Sequence, residues 1–172
     1  MGYTIAICDD DKTMADKLTA SLKNEFMKAG RNDVIIDYYD TGVQLLEALK
    51  NKMYKAVLLD INMEPMDGFA VAEAIGKSGY RTKIIFVTSH EDVVYDTFDY
   101  TPFYFIRKSR YETYVQRVVK KLIAIDGYEK TIVLDDKDGI ININSGDITY
   151  VHSEDHYPVS YTHLRAHETE LH

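Results

Sequence analysis

The sequence predicts a doubly wound α/β domain on a five-stranded parallel sheet, followed by a partial all-β segment. Three observations predict it. Five short apolar runs recur, at Tyr3–Cys8, Val34–Tyr39, Ala56–Leu59, Lys83–Val87 and Phe103–Ile106. They are near-continuous rather than alternating, as strands buried on both faces of a parallel sheet must be. Stretches with helical spacing separate them, and repeated strand–helix alternation implies right-handed crossovers within one sheet.

The elements follow in order. After the first strand, apolar residues fall at Met14, Leu18, Leu22 and Phe26, a one-face helical stripe that ends at Gly30. Val43, Leu45, Leu46 and Leu49 mark the second helix, and Phe69, Val71, Ala72 and Ile75 the third. A fourth, short and polar, is expected from Glu91 to Phe98. Tyr111, Tyr114, Val115, Val118, Val119 and Leu122 give the fifth, and the domain closes near Asp126-Gly127. Methionines and aromatics on these stripes are read as core packing. Beyond them the character changes to short β-type runs, Thr131–Leu134, Gly139–Ile143 and Asp147–Val151, with turn signals between. Three strands without a helix make a marginal domain alone, so this part reads as the opening of something longer.

Composition narrows the class. The 172 residues suit one full domain plus something smaller, and 45% apolar residues supply a core. A net charge of −8 gives no surface that grips nucleic acid unaided. No run approaches the roughly 18 apolar residues of a membrane span, and no secretory signal pattern opens the chain. A single cysteine, Cys8, excludes an intrachain disulfide framework and fits a reducing cytoplasm. Ending an apolar run, Cys8 reads as a buried small hydrophobe.

In an open α/β sheet, ligands bind beyond the carboxyl ends of the strands, where strand order reverses. The residues at those ends are Asp9-Asp10-Asp11, Asp60, Thr88-Ser89 and, after the fifth strand, Lys108. Each has a plain alternative. An Asp after a strand is commonly a turn residue or helix cap, as Asp11 is expected to be; Thr88 could cap a helix, and Lys108 could be a solvated charge. Their joint placement favours chemistry. Carboxylates converging within about 3–6 Å repel and raise each other's pKa unless a cation sits among them, and Mg²⁺ is the natural oxygen-seeking resident. A carboxylate there, with a hydroxyl and an ammonium opposite, is equipped for phosphoryl transfer.

The set Cys-Asp-Asp-Asp, Leu-Leu-Asp-Ile-Asn-Met-Glu-Pro-Met-Asp-Gly, Phe-Val-Thr-Ser and Phe-Ile-Arg-Lys resembles the receiver domain of two-component response regulators, a flavodoxin-like fold. The resemblance covers residues 1–125. It implies that Asp60 takes a phosphoryl group from a phosphohistidine on a sensor histidine kinase. It further implies that Asp10 ligates Mg²⁺ directly, Asp9 acts through water, Asp60 joins them, and the Asn62 backbone carbonyl completes the protein ligands. Thr88 and Phe105 match the family's switch pair, the hydroxyl moving toward the phosphoryl group and the ring swinging inward. Gly68 matches the glycine that ends the loop after the acceptor.

Two positions depart from the pattern. Glu64 stands where the family usually has Pro, with Pro65 next, and local reshaping of the loop is expected. Ser109 follows Lys108 where the family usually has Pro, commonly with a cis bond. A non-proline cis bond costs about 3–4 kcal/mol, which opens the alternative of a trans peptide and a differently seated Lys108, with phosphorylation still the favoured reading.

Asp147-Ile-Thr-Tyr-Val-His-Ser-Glu-Asp-His-Tyr resembles the opening strands of a LytTR-type DNA-binding domain, which makes 126–158 an N-terminal fragment of one. The basic residues such a domain sets on phosphates would lie mostly beyond it. Val159 to Thr169 matches, over all eleven residues, a translation of a transposase-type sequencing adapter. Residues 159–172 are therefore set aside as a non-native, adapter-derived tail. His163 and His167, one helical turn apart beside Glu168, imitate a zinc site but carry no biology under that reading. His152 and His156 read as exposed polar positions.

The expectation is a cytoplasmic phosphoacceptor rather than an enzyme. Phosphorylation of Asp60 would repack the face of the fourth helix, fifth strand and fifth helix, and homodimerisation through that face would bring two DNA readers to paired half-sites. Two alternatives are weighed. An aspartyl-phosphate phosphohydrolase of the haloacid dehalogenase kind uses a similar Asp, Thr and Lys set, but puts the nucleophile on the first strand and an Asp two residues on, where this chain has Asn62. A phosphorylation-independent interaction module is opposed by the intact acidic set and left room by Ser109.

Overall fold

A computed structural model describes residues 3–89, 100, 102–128, 131–136, 139–144, 148–154 and 157–162. Five strands, β1 (Tyr3–Cys8), β2 (Val34–Tyr39), β3 (Ala56–Asp60), β4 (Lys83–Thr88) and β5 (Tyr104–Arg107), form one parallel sheet in the order β2-β1-β3-β4-β5. The doubly wound sheet is the predicted one. Between the strands run α1 (Lys12–Lys28), α2 (Gly42–Leu49) and α3 (Gly68–Ser78), and α4 (Tyr111–Tyr128) follows β5. The short helix expected at 91–98 lies outside the described residues.

The helices begin and end where their caps dictate. Asp11 caps α1 by accepting from the backbone N–H groups of Thr13 and Met14, which satisfies donors a first turn leaves unpaired. Asp67 does the same for α3 through Ala70 N–H at 2.8 Å. Gly79, at φ 74°, ends α3 in the left-handed region that a side chain resists. Leu18, Leu22 and Phe26 are fully buried at the i, i+4 spacing.

Alternation along each strand splits the core. Ala6 and Cys8 of β1 join Val57 and Leu59 of β3, Phe86 of β4, and Leu45, Leu49, Val71, Ala72 and Ile75 of α2 and α3. On the opposite face, Tyr3 meets Phe26 of α1 with ring centroids 5.0 Å apart. Burying a side chain of the Leu or Phe class stabilises by about 1.5–3 kcal/mol.

The chain divides into two compact units, 1–120 and 121–172, and the division falls within α4. The second unit holds two antiparallel hairpins, β6 (Thr131–Asp136) with β7 (Gly139–Asn144), and β8 (Ile148–Glu154) with β9 (Tyr157–Thr162). The first three match the expected runs. The fourth was not anticipated: β9 takes in Val159–Thr162, from the stretch the sequence reading set aside. Among the described residues, no helix is long and apolar enough to cross a membrane.

Candidate functional site

The chain runs from β1 outward to β2, then returns past β1 to β3, so strand order reverses between β1 and β3. A crevice opens at the carboxyl ends of the strands flanking such a reversal. Asp9 and Asp10 follow β1 there, and Asp60 is the last residue of β3. One carboxylate oxygen from each of the three lies within 4.8 Å of the others. Asp9 and Asp60 are buried and Asp10 is exposed, so the cluster has a solvent side.

Lys108 comes to the same point from the end of β5. Its Nζ donates to Asp60 Oδ2 at 2.8 Å and to Asp9 Oδ1 at 3.1 Å. Asp9 Oδ1 also accepts the Asp11 N–H at 2.9 Å. Asp9 Oδ2 is buried and accepts no hydrogen bond, because Lys108 Nζ, 2.9 Å away, stands at the wrong angle. The Asn62 backbone N–H donates to the Asp60 carboxylate.

Electrostatics follow from burial. Burial pushes the Asp60 carboxyl from its ordinary 3.8 up to about 6; the Lys108 bond pulls the other way, and the nearby Asp9 charge adds to the rise. Burial likewise raises Asp9, against the opposing pull of Lys108 and the Asp11 N–H. For Lys108 burial acts to lower the pKa, but bonds to both carboxylates outweigh it and the ammonium is held more firmly. Cys8, directly behind the cluster, is pushed up to about 12 by burial and the surrounding acids, and its thiol faces Met63 Sδ at 3.6 Å. It is the inert buried hydrophobe expected.

Most of the predicted residues meet. Thr88 is buried at the end of β4, one residue beyond the Asp60–Val87 pair. Phe105 pairs with Phe86 across β4 and β5 and is partly buried against the α2–α3 core. Gly68 is required by contact: a Cβ there would stand 2.2 Å from the Asp60 carbonyl oxygen and 2.9 Å from Ile61 Cα. Its N–H donates to the Ile61 carbonyl at 2.9 Å and closes the loop after Asp60.

The departure at Ser109 leaves the predicted lysine in the site. The Lys108–Ser109 peptide is trans, since the cis bond among the described residues is Glu64–Pro65. Yet Lys108 is not displaced from the pocket. Residues Lys108–Arg110 form a 3-10 turn that leads directly into α4, and the lysine still spans to both acids. The glycine-free stretch from β2 also contributes something unpredicted, the Tyr38 hydroxyl, which donates to the Asp9 carbonyl at 3.0 Å. His156, His163, His167 and Glu168 lie outside the described residues.

A parallel five-stranded sheet with paired acids at its reversal and a lysine reaching them from the last strand defines a receiver. The chain belongs to the family described as response regulator receiver domain, which it matches over residues 5–119. It is similar to the transcriptional regulatory protein YpdB of Escherichia coli K12, with 28% identity over 90 residues, covering 52% of this chain and 37% of that protein. It is also similar to protein MrkE of Klebsiella pneumoniae, 27% identical over 88 residues, covering 51% and 33% of the two chains. The matched part thus spans about a third of these relatives' length. Among solved structures, the response regulatory domain of MrkE superposes with a TM-score of 0.63 at 22% identity, covering 71% of this chain and 96% of that one. The response regulator TrrA of Thermotoga maritima, solved in complex with Mg²⁺-BeF, gives 0.58 at 28% identity, covering 71% and 99%.

Proposed function

We propose that this chain is a phosphorylation-controlled switch of a two-component system, with Asp60 as the phosphoryl acceptor and a sensor histidine kinase as donor. The observation that carries this reading is the Lys108 ammonium held between the buried Asp60 and Asp9 carboxylates, with Asp10 beside them on the solvent side. Three carboxylate oxygens within 4.8 Å of one another, one of them buried with no hydrogen bond and met only by an ion pair, are the chemistry a hard divalent cation fits. Asp9, Asp10 and Asp60, with the Asn62 carbonyl, would hold Mg²⁺. Bound there, the ion supplies positive charge to the equatorial phosphoryl oxygens. The complex of TrrA with Mg²⁺-BeF supports the assignment by similarity.

The protein's own groups carry out the remaining work. An Asp60 carboxylate oxygen bonds to phosphorus as the P–N bond of a phosphohistidine breaks, and the imidazole nitrogen keeps the electron pair. Lys108 turns from the acid to the new phosphoryl oxygens and neutralises charge that Asp60 alone no longer bears. Thr88 offers a hydroxyl from β4, and its movement would free space for the Phe105 ring, already lodged half-inside the core. The chain is then an acceptor and not a turnover enzyme. Residues 1–125 would form the receiver and 126–158 the opening of a LytTR-type DNA reader, with dimerisation as its output. The transcriptional role of YpdB supports that output by similarity.

Intact mass after treatment with Mg²⁺ and acetyl phosphate tests the reading. The parent gains about 80 Da, the mass of one phosphoryl group, and Asp60→Asn does not. A parent that stays unmodified with acetyl phosphate and with its cognate kinase defeats the proposal. Steady turnover of a phosphate ester would instead revive the phosphohydrolase.

A further inference from the structure

Asp9 leaves the sheet where β1 ends. The last β1 pairings are Cys8 with Tyr39 and Cys8 with Leu59, so the peptide linking Asp9 to Asp10 lies beyond the ladder. The Asp9 N–H still reaches the Tyr39 carbonyl at 3.1 Å. Its own carbonyl has no strand partner and sits on a buried residue, where an unpaired oxygen is costly. The Tyr38 hydroxyl supplies the donor, at 3.0 Å. The same ring is covered at its face by the Lys12 ammonium, 4.6 Å from the centroid, and Lys12 is paired with Asp16 one turn into α1. One side chain therefore touches Asp9 and Lys12, which bracket Asp10 and Asp11.

A peptide is planar, so holding the Asp9 oxygen also holds the Asp10 nitrogen and the direction in which Asp10 leaves. We propose that Tyr38 is a positioning residue of the acidic pocket: its hydroxyl fixes the Asp9–Asp10 peptide plane, and thereby sets the two carboxylates at the spacing a small divalent cation demands. This rests on the magnesium-binding reading above. Mg²⁺ requires near-ideal octahedral geometry, whereas Ca²⁺ accepts looser and more variable ligands. Loss of the hydroxyl should therefore be felt by the smaller ion.

Tyr39 supplies an internal control. It is the next residue on β2, on the opposite face of the sheet, and its hydroxyl lies 2.6 Å from that of Tyr54, packed against the α2–α3 core. Isothermal titration of MgCl2 and CaCl2 into the full chain compares the parent, Tyr38→Phe and Tyr39→Phe. Tyr38→Phe should bind Mg²⁺ about fivefold more weakly, the factor for one hydrogen bond, with Ca²⁺ changed by less than about twofold. Tyr39→Phe should change neither. In the metal-free chain, amide exchange at Asp11, whose N–H donates to Asp9 Oδ1, should quicken in Tyr38→Phe alone. Equal loss for both ions, or a Tyr38→Phe chain matching the parent in affinity and in Asp11 exchange, overturns the inference. A parent that shows no Mg²⁺ binding, with Asp60→Asn as reference, strikes instead at the reading beneath it.

Discussion

Replacing Asp60 by Asn should make the metal-free protein more stable at neutral and alkaline pH. Asp60 is 3% exposed, and burial lifts its carboxyl from 3.8 to about 6 in the folded chain. A raised carboxyl favours the protonated form in the folded state. Its stabilising contribution is complete below the unfolded value and disappears as pH climbs through about 6. Above that, the folded state bears the cost of a buried anion. The gap between 3.8 and about 6, at about 1.4 kcal/mol per tenfold in proton affinity, caps that cost at about 3 kcal/mol. Asn is the neutral stand-in for the protonated acid and keeps an oxygen for Lys108 Nζ, which also retains Asp9 at 2.9 Å. Urea unfolding in EDTA, followed by far-ultraviolet circular dichroism from pH 4 to 8, measures the difference. Asp60→Asn should match the parent near pH 4 and exceed it by about 1–3 kcal/mol at pH 8. A difference independent of pH, or a variant weaker than the parent at pH 8, would refute the reasoning.

Two further perturbations bear on the same pocket. Lys108→Met removes the ammonium from two buried carboxylates and should cost about 3–5 kcal/mol at pH 8. The loss should shrink on acidification as Asp60 and Asp9 take up protons, and the pH dependence of the urea midpoint reads it. Gly68→Ala puts a methyl group against the Asp60 carbonyl, 2.2 Å away, and should destabilise by about 1–3 kcal/mol or more. An unchanged unfolding midpoint for that variant would show that the loop after Asp60 yields freely.

Much of the fold was legible because burial on both faces of a sheet leaves a local mark. Ala56–Leu59 and Tyr3–Cys8, buried along nearly their whole length, read as strands with no knowledge of what lies beside them. The end of β3 at Asp60 was read correctly, whereas β9, running through Val159–Thr162, was not anticipated. The acids were found by their place at strand ends, and Asp11 as a cap by its residue type. Lys108 was legible as the cation opposite the acids; what the sequence left open was its seating without the usual proline, which is set by the turn into α4 and by the two charges it meets. Tyr38 left no signal at all. Alternation gives the face a tyrosine occupies, but the target of its hydroxyl depends on where another strand stops.

The pocket also has an order of assembly. Lys108 stands 99 residues from Asp9 and 48 from Asp60 along the chain, and meets both only after the intervening segments have closed. Such distant closures are slow and entropically late. A polypeptide still emerging from the ribosome, or one broken off before its last sheet strand, holds the acids without their counter-charge. The counter-charge is therefore withheld from unfinished copies by topology alone.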